Sequence, residues 1–334
     1  MNSSFARLVA AATAAAALTT AACGPGRLDA AERYRPPAPL ALVVLVDPAP
    51  AKLAGELQQV EQLVGAGATP GESVVVMMLA PSFGQSYTVL RGDNLSSIAA
   101  AHGITLAELE SANPQLGPLS GRNWKLIHPS EQVMIPDGDA GAALLLVSKA
   151  PAGPTPPELV RLPVLPANPT QYQRAQYNRA LNADTATNVA RIAAWRTQAD
   201  AALAPWRENV VAQLAGKAGI APQSPRAPDG PILTASMTAG LTTLQGLGGR
   251  RLLLLLGGGE IGPATLAPRS LAGVNLVIAN VSDPNAAAAW KSAGTSAGAA
   301  SVSALDPALT QLQLAQVVNA QSNQEFGQQT QGGT

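Results

Sequence analysis

Histidine and cysteine are nearly absent from this chain, which has two of the first and one of the second in 334 residues. Both histidines, His102 and His128, fall between positions 87 and 136, so the remainder offers no imidazole as metal ligand or general base. That disfavours zinc amidases and zinc endopeptidases. The lone Cys23, close to the N-terminus, disfavours a cysteine nucleophile. No Ser-x-x-Lys occurs. Ser296 has nucleophile-elbow spacing in Gly294-Thr295-Ser296-Ala297-Gly298, but no histidine follows it, so a Ser-His-Asp triad would need a residue reaching across domains. A paired-carboxylate glycan hydrolase is the enzyme class left open. Charge is also scarce, at 13% of residues with 21 acidic and 21 basic, and no run of five Lys or Arg appears. Nucleic acid is therefore not expected as a partner.

What is present begins at the N-terminus. Arg7 precedes an apolar stretch from Leu8 to Leu18, too short to span a bilayer, and Thr19-Thr20-Ala21-Ala22 leads to Cys23-Gly24. Small residues before a lone cysteine resemble a bacterial lipoprotein signal, with Thr20 where leucine is usual. The resemblance implies a signal peptide at 1–22, lipidation of Cys23, and an exported, membrane-anchored protein facing the periplasm or cell wall. The alternative is an Ala-x-Ala cleavage site and a soluble product. Gly-Pro-Gly and Arg-Pro-Pro within 23–38 read as a tether.

The 47% hydrophobic content and the length suit two domains with a sizeable core. Residues 41–50 form an apolar run ending Asp-Pro, as in a strand buried on both faces of a parallel sheet. Leu53, Leu57, Val60, Leu63 and Val64 recur every three or four positions, predicting an amphipathic helix that stops near Gly65 and Gly67. A second apolar run at 73–81 completes a β-α-β unit, and a third at 140–150 follows an interrupting block. Beyond it lie proline-rich sequence to Pro169 and a helical segment at 170–218, either one long helix or a pair broken at Pro205. Val189, Ile192, Trp195, Ala199, Leu203, Trp206, Val210 and Leu214 keep its rhythm. Apolar runs at 250–259 and 273–283, with helices expected at 232–245 and 306–319, complete an α/β, doubly wound sheet. The host domain thus reads as 39–82 plus 140–320, and the Gln-rich 321–334 as a disordered tail.

The interrupting block, 87–136, has its own β-α-α-β pattern. Tyr87 and Val89 alternate as in a strand, Gly92 permits a turn, and Asp93 or Asn94 caps a helix with Leu95 and Ile98 inward. Gly103 ends that helix. Thr105 then caps a second with Glu108 as its box partner and Leu106 and Leu109 on its buried face. The stretch Tyr87-Thr88-Val89, Gly92-Asp93-Asn94-Leu95, Asn113-Pro114, Ile127-His128-Pro129 and Ile135-Pro136 resembles the LysM family. Departures are Asn94 for threonine, Ser130 and Glu131 for Gly and Gln, and a longer second loop. The resemblance implies binding of peptidoglycan or another N-acetylglucosamine polymer in a shallow groove between the loops 92–95 and 113–128. Gly92, Asp93, Asn94, Leu95, Asn113, Pro114, Trp124, Ile127 and His128 are its candidate glycan-binding residues. Trp124 suits either stacking on a sugar or packing the loop onto the module.

The host resembles a von Willebrand factor A domain, whose pattern is a first strand ending Asp-x-Ser-x-Ser and a later strand ending in aspartate, together holding a cation. Here Asp47 survives, while Ala49 and Ala51 replace the serines and Gly257 stands at the later aspartate. Hard cations need several oxygen ligands, so no metal is expected. Gly257-Gly-Gly-Glu-Ile-Gly262 matches a dinucleotide fingerprint, but Pro263 and Pro268 obstruct the following helix, and no cofactor is expected. The resulting expectation is a non-enzymatic envelope lipoprotein that binds peptidoglycan, with a host domain contacting an envelope protein. The alternative is a murein-modifying enzyme targeted by its LysM module.

Overall fold

The computed structural model describes residues 34–80, 85–136, 144–217, 229–263 and 266–307, together with Leu314. The signal at 1–22, Cys23, most of the tether, most of the helix expected at 306–319 and the tail lie outside these residues. Contacts divide the chain into two compact units, Met1–Arg35 with Thr155–Arg196, and Pro36–Pro154 with Thr197–Thr334.

The second unit is built on a six-stranded sheet. Its strands are β1 (Leu40–Val46), β2 (Ser73–Met78), β5 (Leu144–Lys149), β6 (Arg250–Leu255), β7 (Val274–Ile278) and β8 (Ser301–Ala304), in the order β5-β2-β1-β6-β7-β8. Only β5 runs antiparallel, against β2. Every residue of β1 and β2 is buried, which explains why their sequences are unbroken apolar runs with no polar alternation. Successive side chains point to opposite faces. Leu42, Val44 and Val46 meet α1 (Pro50–Gly67) and the distal part of α4, whereas Val43 and Leu45 meet α5 (Gly230–Gly246) and α6 (Pro284–Ser296). Helices therefore cover both faces. Leu53, Leu57, Val60, Leu63 and Val64 do form the buried stripe of α1.

Helix α4 runs unbroken through Gln171–Lys217 with Pro205 inside it. Pro205 lies on the exposed side, as does Ala201, whose carbonyl loses its partner; water can hydrate that carbonyl, so the helix continues where a buried proline would break it. Val189 is 39% exposed, so the buried stripe starts later than its periodicity implies. In the first unit, 155–169 lies extended along the early turns of α4. Asn188 receives the Val160 amide at 2.6 Å and donates to its carbonyl at 2.9 Å, and Tyr34 meets Trp195 edge to face at 5.3 Å.

The 87–136 block sits between β2 and β5. It consists of β3 (Gln85–Thr88), α2 (Leu95–Ala101), α3 (Leu106–Ala112) and β4 (Gln132–Ile135), with β3 and β4 antiparallel. Gln85 pairs with Ile135, which brings entry and exit together. The module also packs on the host: Met134 joins the core under α5, and a Cβ at Gly246 of α5 would overlap the Gln115 side chain.

Two buried carboxylates make the host sensitive to pH. Burial pushes Glu56 up to about 8, against the lowering effect of the Asp47 amide it accepts at 2.6 Å. Burial likewise pushes Glu72 up to about 7 despite its bonds from Thr69 and the nearby Arg250 and Arg207. Both folded values lie above the unfolded one, so the native state holds more protons and stability is lost as pH rises from about 4.5 to 8. Thermal unfolding should give a lower Tm near pH 8.5 than near pH 5.5. Glu56→Gln should flatten that slope and raise stability at the higher pH by roughly 2 kcal/mol.

Candidate functional site

Two surfaces deserve comparison as sites: the end of the parallel sheet where strand order reverses, and the module's loop end. The first lies between β1 and β6, the place where open α/β sheets commonly bind ligands. Here it is filled. A Cβ at Gly257 would overlap the Asp47 backbone, so the two strand ends already touch. Asp47 is 3% exposed; its Oδ1 accepts the Ala49 amide at 2.9 Å and its Oδ2 lies 3.3 Å from Lys52 Nζ. The Lys52 ammonium of α1 thus pairs with the Asp47 carboxylate at this sheet end. Among the described residues no group of three His, Cys, Asp or Glu side chains gathers to hold one.

The other sequence leads resolve by position. Gly259–Ile261 form a short 3-10 turn, and a Cβ at Gly259 would overlap Ile278 and Val281, so these glycines serve close packing. Ser296 ends helix α6, where it has no strand-to-helix turn to present its hydroxyl.

The module's loop end is built differently. Val89, Leu95, Ile98, Leu109, Leu116, Val133 and Ile135 form its core. Asn94 accepts the Ser97 amide at 2.9 Å and Thr105 accepts that of Glu108 at 3.2 Å, closing a capping box on each short helix. Isolated helices this short are unstable in water, so the caps and the shared core make them possible. Leu106 is 39% exposed, a correction to its placement on the buried face.

Beyond Thr88↔Gln132 the ladder ends with the Val89 amide on the Glu131 carbonyl and the Ser130 amide on the Val89 carbonyl. Both loops therefore leave the same end of the hairpin. Asp93 folds the first, accepting the Leu90 amide at 2.7 Å and the Tyr87 hydroxyl at 2.8 Å. That bond, with some burial, raises the Tyr87 phenol above its usual range. Gly92 sits at φ +98, a conformation open to glycine at little cost. Glu131 folds the second loop by pairing with Arg122 at 2.7 Å and accepting the His128 amide at 2.7 Å. Partial burial opposes its ionisation, yet these partners hold its carboxyl below the usual range. Arg122 also donates to the Leu126 carbonyl.

The candidate residues separate into two groups. Gly92, Asn94 and His128 are exposed, and Asp93, Trp124 and Ile127 are half-buried, so these six border the surface. Leu95 at 4%, the fully buried Asn113 and the buried Pro114 offer little side-chain surface there. Trp124 lies over Gly117, where a Cβ would overlap the ring, and so packs the second loop while keeping one part exposed. Sequence reasoning missed Leu90 and Leu126, which are 61% and 57% exposed on the two loops. The signal was available for Leu90, which follows the inward Val89 and must point outward in strand register.

Residues 87–119 match the LysM domain family. A LysM domain implies binding of peptidoglycan or another N-acetylglucosamine polymer. No solved structure matches the chain. No helix among the described residues is long and apolar enough to cross a membrane.

Asn113 holds the second loop to the hairpin. Its amide donates to the Leu109 carbonyl at 2.8 Å and the Met134 carbonyl at 2.7 Å, while its oxygen accepts from the Met134 amide at 2.7 Å and Gln115 at 3.1 Å. Asn113→Ala leaves several buried polar groups without partners and should cost roughly 2–4 kcal/mol. A urea titration should show the lowered midpoint.

Proposed function

We propose that this protein is a non-enzymatic cell-envelope lipoprotein that holds peptidoglycan through its LysM module, with the host domain serving as a protein-interaction scaffold. The LysM match, on a module whose two loops share one end of a hairpin, carries the reading. Neutral sugars bind through backbone amides, small polar groups and apolar faces. The turn at Gly92-Asp93-Asn94, the exposed Leu90 and Leu126, and the half-exposed Trp124 supply those chemistries with little charge.

The reading of the host as von Willebrand factor A-like draws support from the sheet order and from the antiparallel β5 beside β2, which corresponds to the hairpin strand of that pattern. Asp47 ends the first strand as in the family, while Lys52 fills its cation position. The metal-free scaffold in this reading rests on Ala49, Ala51 and Gly257, which stand where the family pattern has its serines and later aspartate. Outside the module the chain has no histidine and no cysteine but Cys23, which supports a binding role over the alternative, a murein-modifying enzyme.

Cys23, acylated, would anchor the chain, and weak binding by one module would gain effective concentration from that anchor. The full-length protein should sediment with purified sacculi, and Leu90→Asp with Leu126→Asp should reduce the bound fraction severalfold without changing Tm. Unchanged sedimentation would refute the LysM reading, and muropeptides released from the sacculi would favour the enzyme. Cys23→Ser should abolish incorporation of labelled palmitate in cells.

A further inference from the structure

A groove of about 550 Å³ opens between the module and the edge of the host sheet. One wall is α3 and the second loop, with Glu110, Pro114, Pro118 and Trp124; the other is strand β5, with Val147 and Lys149. Its size is that of a small-ligand site, and its walls are both apolar and polar.

Strand β5 is the edge of the sheet, and its register fixes which backbone groups are free. The Ala150 amide donates to the Glu72 carbonyl, so the hydrogen-bonded pairs are those of Ala150, Ser148 and Leu146 with Glu72, Val74 and Val76. Val147 and Lys149 fall between them, opposite Val75 and Ser73. Their N–H and C=O groups point away from β2, and among the described residues none has a hydrogen-bond partner. An extended peptide can add to such an edge as one more strand. The Lys149 ammonium and Glu110 carboxylate likewise have no ion-pair partner among the described residues, so the two walls offer opposite charges. The groove also shares Pro114 and Trp124 with the loop that borders the glycan surface.

We propose that this groove binds a short, extended peptide carrying both carboxylate and ammonium groups, namely the peptide borne by the glycan that the module holds. The inference rests on the peptidoglycan reading and deepens it. Sugar and peptide are recognised on adjoining surfaces, one belonging to the module alone and one shared with the host sheet. Rigid docking makes the sharing possible, because Met134 and Gln115 fix the module against the host. The host domain thereby becomes part of the ligand site.

The test titrates the full-length protein with three probes: a chitooligosaccharide, the bare N-acetylglucosamine–N-acetylmuramic acid disaccharide, and the same disaccharide carrying its tetrapeptide. Wild type should bind the peptide-bearing disaccharide about tenfold tighter than the bare one. Val147→Pro removes an outward N–H that no ladder bond uses, and Lys149→Glu reverses one charge. Each should abolish the tenfold gain while leaving chitooligosaccharide binding unchanged, which also reports that the variant is folded. Equal wild-type affinity for the two disaccharides, or a gain that survives both substitutions, would overturn the peptide groove and leave the glycan reading standing. Failure to bind any probe would overturn both.

Discussion

An inserted module can leave its host sheet intact only if its ends meet. That constraint is satisfied by the antiparallel ladder of β3 and β4, in which Gln85 pairs with Ile135. The host supplies a matching opening, because β2 and β5 are themselves antiparallel neighbours and the link between them need only turn back on itself. Had β5 been parallel, the connection would have required a crossover along the sheet. The order β5-β2-β1-β6-β7-β8, the module's attachment and the groove beside β5 all depend on this pair of hairpins.

The same geometry decides how freely the module moves. A domain joined by paired ends could swing, but Met134 enters the core beneath α5 and Gln115 lies against Gly246, where a larger residue would overlap it. Asn113 transmits that attachment to the loops by bonding both backbone groups of Met134. The module's loops and the host sheet thus form a continuous framework. An edge strand is ordinarily a liability, and here the module's second loop stands beside part of it.

Burial sets the chemistry of the host. The end of the sheet between β1 and β6 is closed by Gly257 against Asp47, which pairs with Lys52, and Glu56 is buried nearby. Carboxylates kept largely out of water favour protonation, so the host loses stability as pH rises above their ordinary range.

Sequence alone determined the strongly periodic parts. Largely apolar runs marked β1, β2, β6 and β7 because strands covered on both faces admit few polar residues, and the stripe of Leu53, Leu57, Val60 and Val64 marked α1 because one face meets the sheet. Candidate caps, Asp93 or Asn94 and then Thr105, marked both module helices, and the structure assigns the first cap to Asn94. Other features emerged only in three dimensions. The short, half-polar Ser301–Ala304 strand and the alanine-rich α6 carry little periodic signal and are held by β7 and by Gly294 packing against Val302. Pro205 reads as a helix break until its exposed position shows that water can take up the lost bond. The four buried hydrogen bonds of Asn113, to Leu109, Gln115 and Met134, are likewise invisible in the sequence. Residue type and spacing record local propensity, whereas inward or outward direction and the meeting of distant loops arise only from packing. The glycan module was therefore legible in the chain, and its junction with the host sheet was decided by tertiary structure.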